Sequence, residues 1–200
     1  MRHMKRTHAI AGISLLLAFL TGPIHAQTDD VFDFIPAGGK TLLTQVVENA
    51  PSDEVRALLT GNRDREKWVS YLQDRKGALV GLKAFAPHEL LTLADYLAFN
   101  MPLAAKKVPA DPARANWQKL LPLDGRDLVL DNCQFCHIIT VVVTQDKAKD
   151  TWLGTMNSPS HIEIKLNDRQ REALASYLVL NANIPIDLVP EVLRAGGASY

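Results

Sequence analysis

The chain has 200 residues, 47% of them apolar, with 22 basic and 22 acidic side chains. That is enough length and apolar surface for one ordinary domain or two small ones around a buried core. The balanced charge carries neither the basic excess that marks nucleic-acid binders nor the acidic runs that keep segments unfolded.

In chain order, the first element is a leader. Arg2, Lys5 and Arg6 precede the apolar run AIAGISLLLAFLTG, and GPIHAQ follows it. A basic start, a short apolar run and a small residue before a cut predict a secretory signal peptide over residues 1–26, cleaved after Ala26. The run is short for a membrane span, and no later run is long enough to be one. The remaining chain is therefore expected to be periplasmic, without a membrane span and, having lost three basic residues, slightly acidic.

Helical periodicity then recurs at GKTLLTQVVENA, SDEVRALLTG, REKWVSYLQD, PHELLTLADYLAFN, GRDLVLDNCQFC, KDTWLGTMN and NDRQREALASYLVLNA. The expected fold class is all-α. Pro87 suits a first helical turn, and Asn167 with Gln170 reads as a reciprocal cap with Leu166 as its apolar staple. The β-branched stretch IITVVV, residues 138–143, predicts an extended segment packed against the functional site. Pro102 to Trp117, PLAAKKVPADPARANW, reads as a linker.

The stretch DNCQFCHII, residues 131–139, holds both cysteines of the chain, Cys133 and Cys136, with His137 directly behind. Exported cysteines usually form structural disulfides, but a two-residue spacer closes too short a ring to staple a fold. Three chemistries use this pattern. C-x-x-C-H is the attachment signature of a covalent c-type haem: two thioethers, with His137 as the proximal iron ligand. A thiol–disulfide oxidoreductase also uses C-x-x-C, but at a helix N-terminus, whereas GRDLVLDN reads as a helix running into this motif. A zinc site needs three or four protein ligands, and only His88 and His161 remain after the leader. Covalent haem accounts for every residue of the motif and predicts one haem c.

The two sides of the linker match. Pro36, Gly39, Val47, Trp68, Leu72, Leu93 and Tyr96 run in the same order as Pro122, Gly125, Cys133, Trp152, Met156, Leu174 and Tyr177. Each glycine stands eight residues before the motif position, and LADYLAFN (93–100) parallels LASYLVLN (174–181). The pattern predicts a tandem duplication in which VENAP replaces CQFCH, so that the first copy lacks thiols and proximal histidine. The expected organisation is a signal peptide (1–26), a haem-less unit (27–102), a linker (103–121) and a haem-binding unit (122–200).

These residues resemble class I c-type cytochromes, well over Pro122 to Ile184 and as a haem-less copy over Pro36 to Pro102. In that family a glycine eight residues before the first cysteine lets the N-terminal helix cross a C-terminal helix at a Leu and an aromatic. Gly125, Leu174 and Tyr177 fit that pattern. DTWLGTM, from Asp150 to Met156, looks like the corresponding stretch of small cytochrome subunits that accompany exported dehydrogenases. The resemblance implies an electron carrier rather than an enzyme, with redox proteins, among them a dehydrogenase subunit, as partners.

The sixth iron ligand remains open between Met156, which follows Trp152 by four, and His161; Met101 and His88 of the first half are further candidates. A thioether would raise the potential and close the iron to small molecules, whereas a second histidine would lower the potential. Trp152 is expected to pack on the haem. His137 is expected to donate its Nδ1–H to a backbone carbonyl. Two other activities stay open: a haem enzyme or gas sensor with a displaceable sixth ligand, and a haem-free thiol oxidoreductase.

Overall fold

The computed structural model describes residues 31–134 and 136–194; the expected leader and its cut after Ala26 lie outside them. Among the described residues the regular structure is entirely helical, as the periodicity predicts. The first half contributes α1 (Gly39–Val47), α2 (Ser52–Thr60), α3 (Arg65–Arg75) and α4 (Pro87–Asn100), followed by the short α5 (Trp117–Leu120). The second contributes α6 (Gly125–Cys133), α7 (Thr140–Val143), α8 (Lys149–Met156), α9 (Asp168–Asn181) and the short α10 (Glu191–Arg194).

Local chemistry starts these helices where the sequence signals them. The Asp64 carboxylate accepts from the Lys67 N–H at 2.9 Å and opens α3. Pro87 stands in the first turn of α4, and the Glu89 carboxylate turns back to the Ala86 N–H at 2.7 Å. Asn167 and Gln170 cap α9 reciprocally, at 2.9 and 3.1 Å.

Each half builds its own core. Leu42, Leu43, Leu58, Leu59, Trp68, Leu72, Leu93 and Leu97 are fully buried in the first. Leu128, Val129, Ile139, Val143, Trp152, Met156, Leu174 and Leu178 form the second. Each such leucine contributes about 2 kcal/mol on leaving water.

The same crossing occurs in both halves. α1 packs on α4 and α6 on α9. A Cβ placed on Gly39 would lie 2.1 Å from the Cβ of Tyr96, and one placed on Gly125 would lie 2.1 Å from that of Tyr177. Only a residue without a side chain permits this approach. α4 and α9 also pack on each other. There the tyrosines reach across: Tyr96 donates its hydroxyl to the Pro122 carbonyl at 2.9 Å, and Tyr177 donates to that of Pro36 at 2.5 Å.

The leading segments are exchanged as well. Ile35, four residues before Gly39, is buried in the second core, and Arg126 holds the Phe32 and Ile35 carbonyls. Leu121, four before Gly125, is buried in the first core with Trp117. The segment read as a linker is therefore partly built into the first core: Leu103 is buried, and two 3-10 turns, Ala105–Lys107 and Pro112–Arg114, lead into α5. The first of these turns has its counterpart 81 residues on, at Ile186–Leu188. The correspondence between halves thus runs past Pro102, to Val108 against Val189.

One element differs from expectation. Residues 138–143 are not extended; Thr140–Val143 forms the single turn α7. The β-branched preference is overridden by burial of Ile139, Val142 and Val143 and by Thr140, whose hydroxyl donates to the Leu193 carbonyl at 2.7 Å. The turn also offers the Val143 carbonyl to the Ile184 N–H at 3.0 Å, as the end of α2 offers Leu59 to Leu103 at 2.8 Å. α7 therefore stands where α2 stands in the first half, with four residues in place of nine.

Candidate functional site

The second half holds a cleft of about 340 Å³. α6 brings Cys133 to it, and the turn beyond brings Cys136 and His137. α7 supplies Val141 and Val142, and α8 supplies Trp152, Thr155 and Met156. His161, Glu163 and Ile164 come from the segment after α8, and Asn132, Lys147 and, from α9, Leu174 and Leu178 complete the lining. Cys133, Cys136, His137, Trp152, Met156 and His161 thus border one cavity. His88 and Met101 are not brought there: His88 is exposed at the start of α4, and Met101 is buried in the first core.

The cysteines are unpaired, Cys136 exposed and Cys133 half-buried. Burial pushes the Cys133 thiol up to about 11. It also ends α6, where the negative end of the helix dipole further disfavours a thiolate. A redox C-x-x-C needs the opposite environment. A zinc reading finds no donor set: among the described residues no three His, Cys, Asp or Glu side chains gather around a common point.

Four buried side-chain polar atoms have no partner among the described residues: His137 Nδ1 and Trp152 Nε1 at the cleft, and Arg63 Nη1 and Trp68 Nε1 in the first half. The carbonyl expected to accept from His137 Nδ1 is not in place. The Lys147 ammonium lies 4.8 Å from the centre of the Trp152 ring and also borders the cleft. An unpaired indole N–H beside a cation can receive a carboxylate, but the feature is not peculiar to this cleft, since Trp68 Nε1 in the first half is unpartnered too. The first half has the same pair, with Arg63 at 4.6 Å from the Trp68 ring, five residues before it as Lys147 is before Trp152. In that half Val55, Leu58 and Leu59 of α2 and Leu72 of α3 are fully buried in the core.

The segment beyond Met156 is held by hydrogen bonds. His161 Nδ1 lies 2.8 Å from the Ser158 hydroxyl and 3.1 Å from that of Ser160. Arg171, in the first turn of α9, donates to the carbonyls of Met156 at 2.5 Å, Ile164 at 2.7 Å and Leu166 at 3.1 Å. Sequence reading missed Lys147 and Arg171. A cation five residues before tryptophan in both halves was a visible signal for the first; nothing local marked the second.

Compared with known proteins, the chain matches no family model, no curated protein and no solved structure. Among the described residues no helix is long and apolar enough to cross a membrane.

Proposed function

We propose that this protein is an exported c-type cytochrome that carries single electrons on one covalently bound haem. The observation that supports it is the meeting of both cysteines, His137 and Met156 at one largely apolar cleft. A haem there would supply an iron centre cycling between ferrous and ferric states. Cys133 and Cys136 would hold it through thioethers, and His137 would be the proximal ligand. Met156 would be the distal ligand, its soft sulfur favouring the ferrous state and closing the site to small molecules. Val141, Val142, Leu174 and Leu178 would exclude water, and Trp152 Nε1–H and Lys147 would receive the haem carboxylates.

In this reading the chain is two tandem cytochrome c-like units. The recurrent Gly–Tyr crossing, the crossed tyrosine bonds and the matching turns favour it. The first unit filled its haem space and kept its scaffold, becoming a docking surface for a redox partner such as a dehydrogenase subunit. The periplasm is the proposed compartment, from the leader and because covalent haem attachment needs free thiols delivered there.

One observation favours a second reading. His161 borders the same cleft as Met156, so the sixth position could be shared or displaced, as in a haem enzyme or gas sensor. A visible spectrum of the exported protein, ferric then ferrous, with and without carbon monoxide, separates the readings. A low-spin c-type spectrum with the far-red methionine–iron band and no response to carbon monoxide is expected. A carbon monoxide shift would favour the enzyme or sensor, and the absence of haem absorbance would remove both.

A further inference from the structure

We infer that Arg171 is a positioning residue that fixes the segment bearing the distal ligand and so keeps the sixth iron position closed; the inference rests on the haem reading above. All three guanidinium nitrogens are spent on main-chain carbonyls of one segment, those of Met156, Ile164 and Leu166. No carboxylate pairs with Arg171 among the described residues. This use of an arginine differs from a surface ion pair. Charged donors make stronger hydrogen bonds than neutral ones, and three directed at one segment set its backbone path.

Apart from Arg171 the segment is held by packing of Met156, Ile164 and Leu166 on the second core and by short-range bonds. Its own bonds are local, from the His161 N–H to the Ser158 carbonyl and from the Ile164 N–H to that of His161. Ser160, Ile162, Glu163 and Lys165 are exposed or nearly so, Ile162 at 75%. No other side chain from outside the segment hydrogen-bonds to it among the described residues. Yet Met156, His161 and Ile164 all border the cleft from it. The Met156 carbonyl lies at the end of α8, where helix carbonyls lack intrahelical partners, so the Arg171 bond fixes the backbone of the very residue whose sulfur would face iron.

The first half supplies a comparison. Counting 81 residues back from Arg171 reaches Leu90, a buried apolar side chain. The corresponding segment there is held from within, by Lys76 Nζ donating to the Phe85 carbonyl at 2.7 Å. The arginine clamp thus accompanies the half with the thiols and is no part of the scaffold that both halves share.

The test uses the full exported chain, loaded with haem, as wild type, Arg171→Leu and Arg171→Lys. The leucine variant should retain covalent haem and helical circular dichroism but lose the far-red methionine–iron band. Its ferrous form should bind carbon monoxide at least about tenfold more tightly, the change that 1.4 kcal/mol of lost closure produces. Arg171→Lys, which keeps the charge but cannot reach three carbonyls, should fall between the two. A leucine variant with the wild-type band and wild-type resistance to carbon monoxide overturns the inference and leaves the haem reading standing. Should the leucine variant fail to load, a lysine variant indistinguishable from wild type overturns it equally. Wild-type protein without haem absorbance removes the haem reading and this inference together.

Discussion

At the scale of one residue, Asp124 caps two helices. Its carboxylate accepts from the Asp127 N–H at 2.9 Å, opening its own helix α6, and from the Lys40 N–H at 2.8 Å, opening α1 of the other half. Gly38, which precedes α1, has no side chain to cap it, and a Cβ there would fall 2.1 Å from an Asp124 oxygen. Asp124→Ala leaves both N–H groups unpartnered, so urea unfolding should show a loss of about 2–3 kcal/mol, more than one cap is worth. A loss below that of an ordinary exposed cap would mean that water replaces the carboxylate. Burial pushes the Asp124 carboxyl above its ordinary range, and neighbouring Asp127 adds to this, against the pull of the backbone N–H groups. The folded chain then holds the proton more tightly than the unfolded one. That contribution to stability is full below the unfolded carboxyl value of about 3.9 and is lost as pH rises through the folded one. The stability of wild type relative to Asp124→Asn should therefore fall between acid and neutral pH; a constant difference would refute the assignment. Asp124 stands directly before Gly125, the position of a local cap for α6. Its reach to α1 depends on how the halves meet, and no local pattern records that.

At the scale of the element, the glycine crossings carry the prediction. Gly39→Ala and Gly125→Ala each force a methyl group against a tyrosine Cβ, so α1 must separate from α4, or α6 from α9. Overpacking of this kind costs about 3 kcal/mol, and thermal unfolding should show both variants destabilised to a similar degree. A neutral Gly39→Ala beside a damaging Gly125→Ala would mean that the first crossing is loose. The crossing at Gly125 was expected from the family resemblance of Gly125, Leu174 and Tyr177, and the one at Gly39 from the parallel between the two halves; residue pattern alone marks neither. The long helices were legible through periodicity and caps. α7 was not. Its β-branched residues favour extended chain when taken alone, and only the core formed by Ile139 and Val143, with the contact from Ile184, makes a helical turn the better solution. The site followed the same division. Cys133, Cys136 and His137 announced themselves by spacing, whereas Arg171 acts through backbone carbonyls whose owners leave no trace in its neighbourhood.

At the scale of the whole molecule, the exchange of leading segments decides how many folding units the chain contains. The repeat suggests a cut near Pro122 and two units able to stand alone. Ile35 and Leu121 carry the same apolar signal whether they pack at home or across, so the sequence cannot distinguish separate units from interlocked ones. The structure interlocks them: Ile35 fills the second core, Leu121 and Trp117 the first, the two tyrosine bonds cross, and Asp124 caps both sides. A fragment beginning at Pro122 would lose Ile35, whose truncation alone to alanine costs about 2–4 kcal/mol in a packed core. It would also lose the Pro36 acceptor of Tyr177 and the packing of α4 on α9. That total approaches the entire stability of a small domain. The fragment should therefore unfold without a cooperative transition, while the full chain unfolds in one, with both halves reporting the same midpoint. Circular dichroism for the whole, beside the fluorescence of Trp68 and Trp152 in single-tryptophan variants, measures this directly. Two separate midpoints, or a fragment that unfolds as sharply as the intact protein, would make the halves independent domains. A single midpoint would mean that the first half, though lacking counterparts of Cys133, Cys136 and His137, stabilises the cleft that they border in the second.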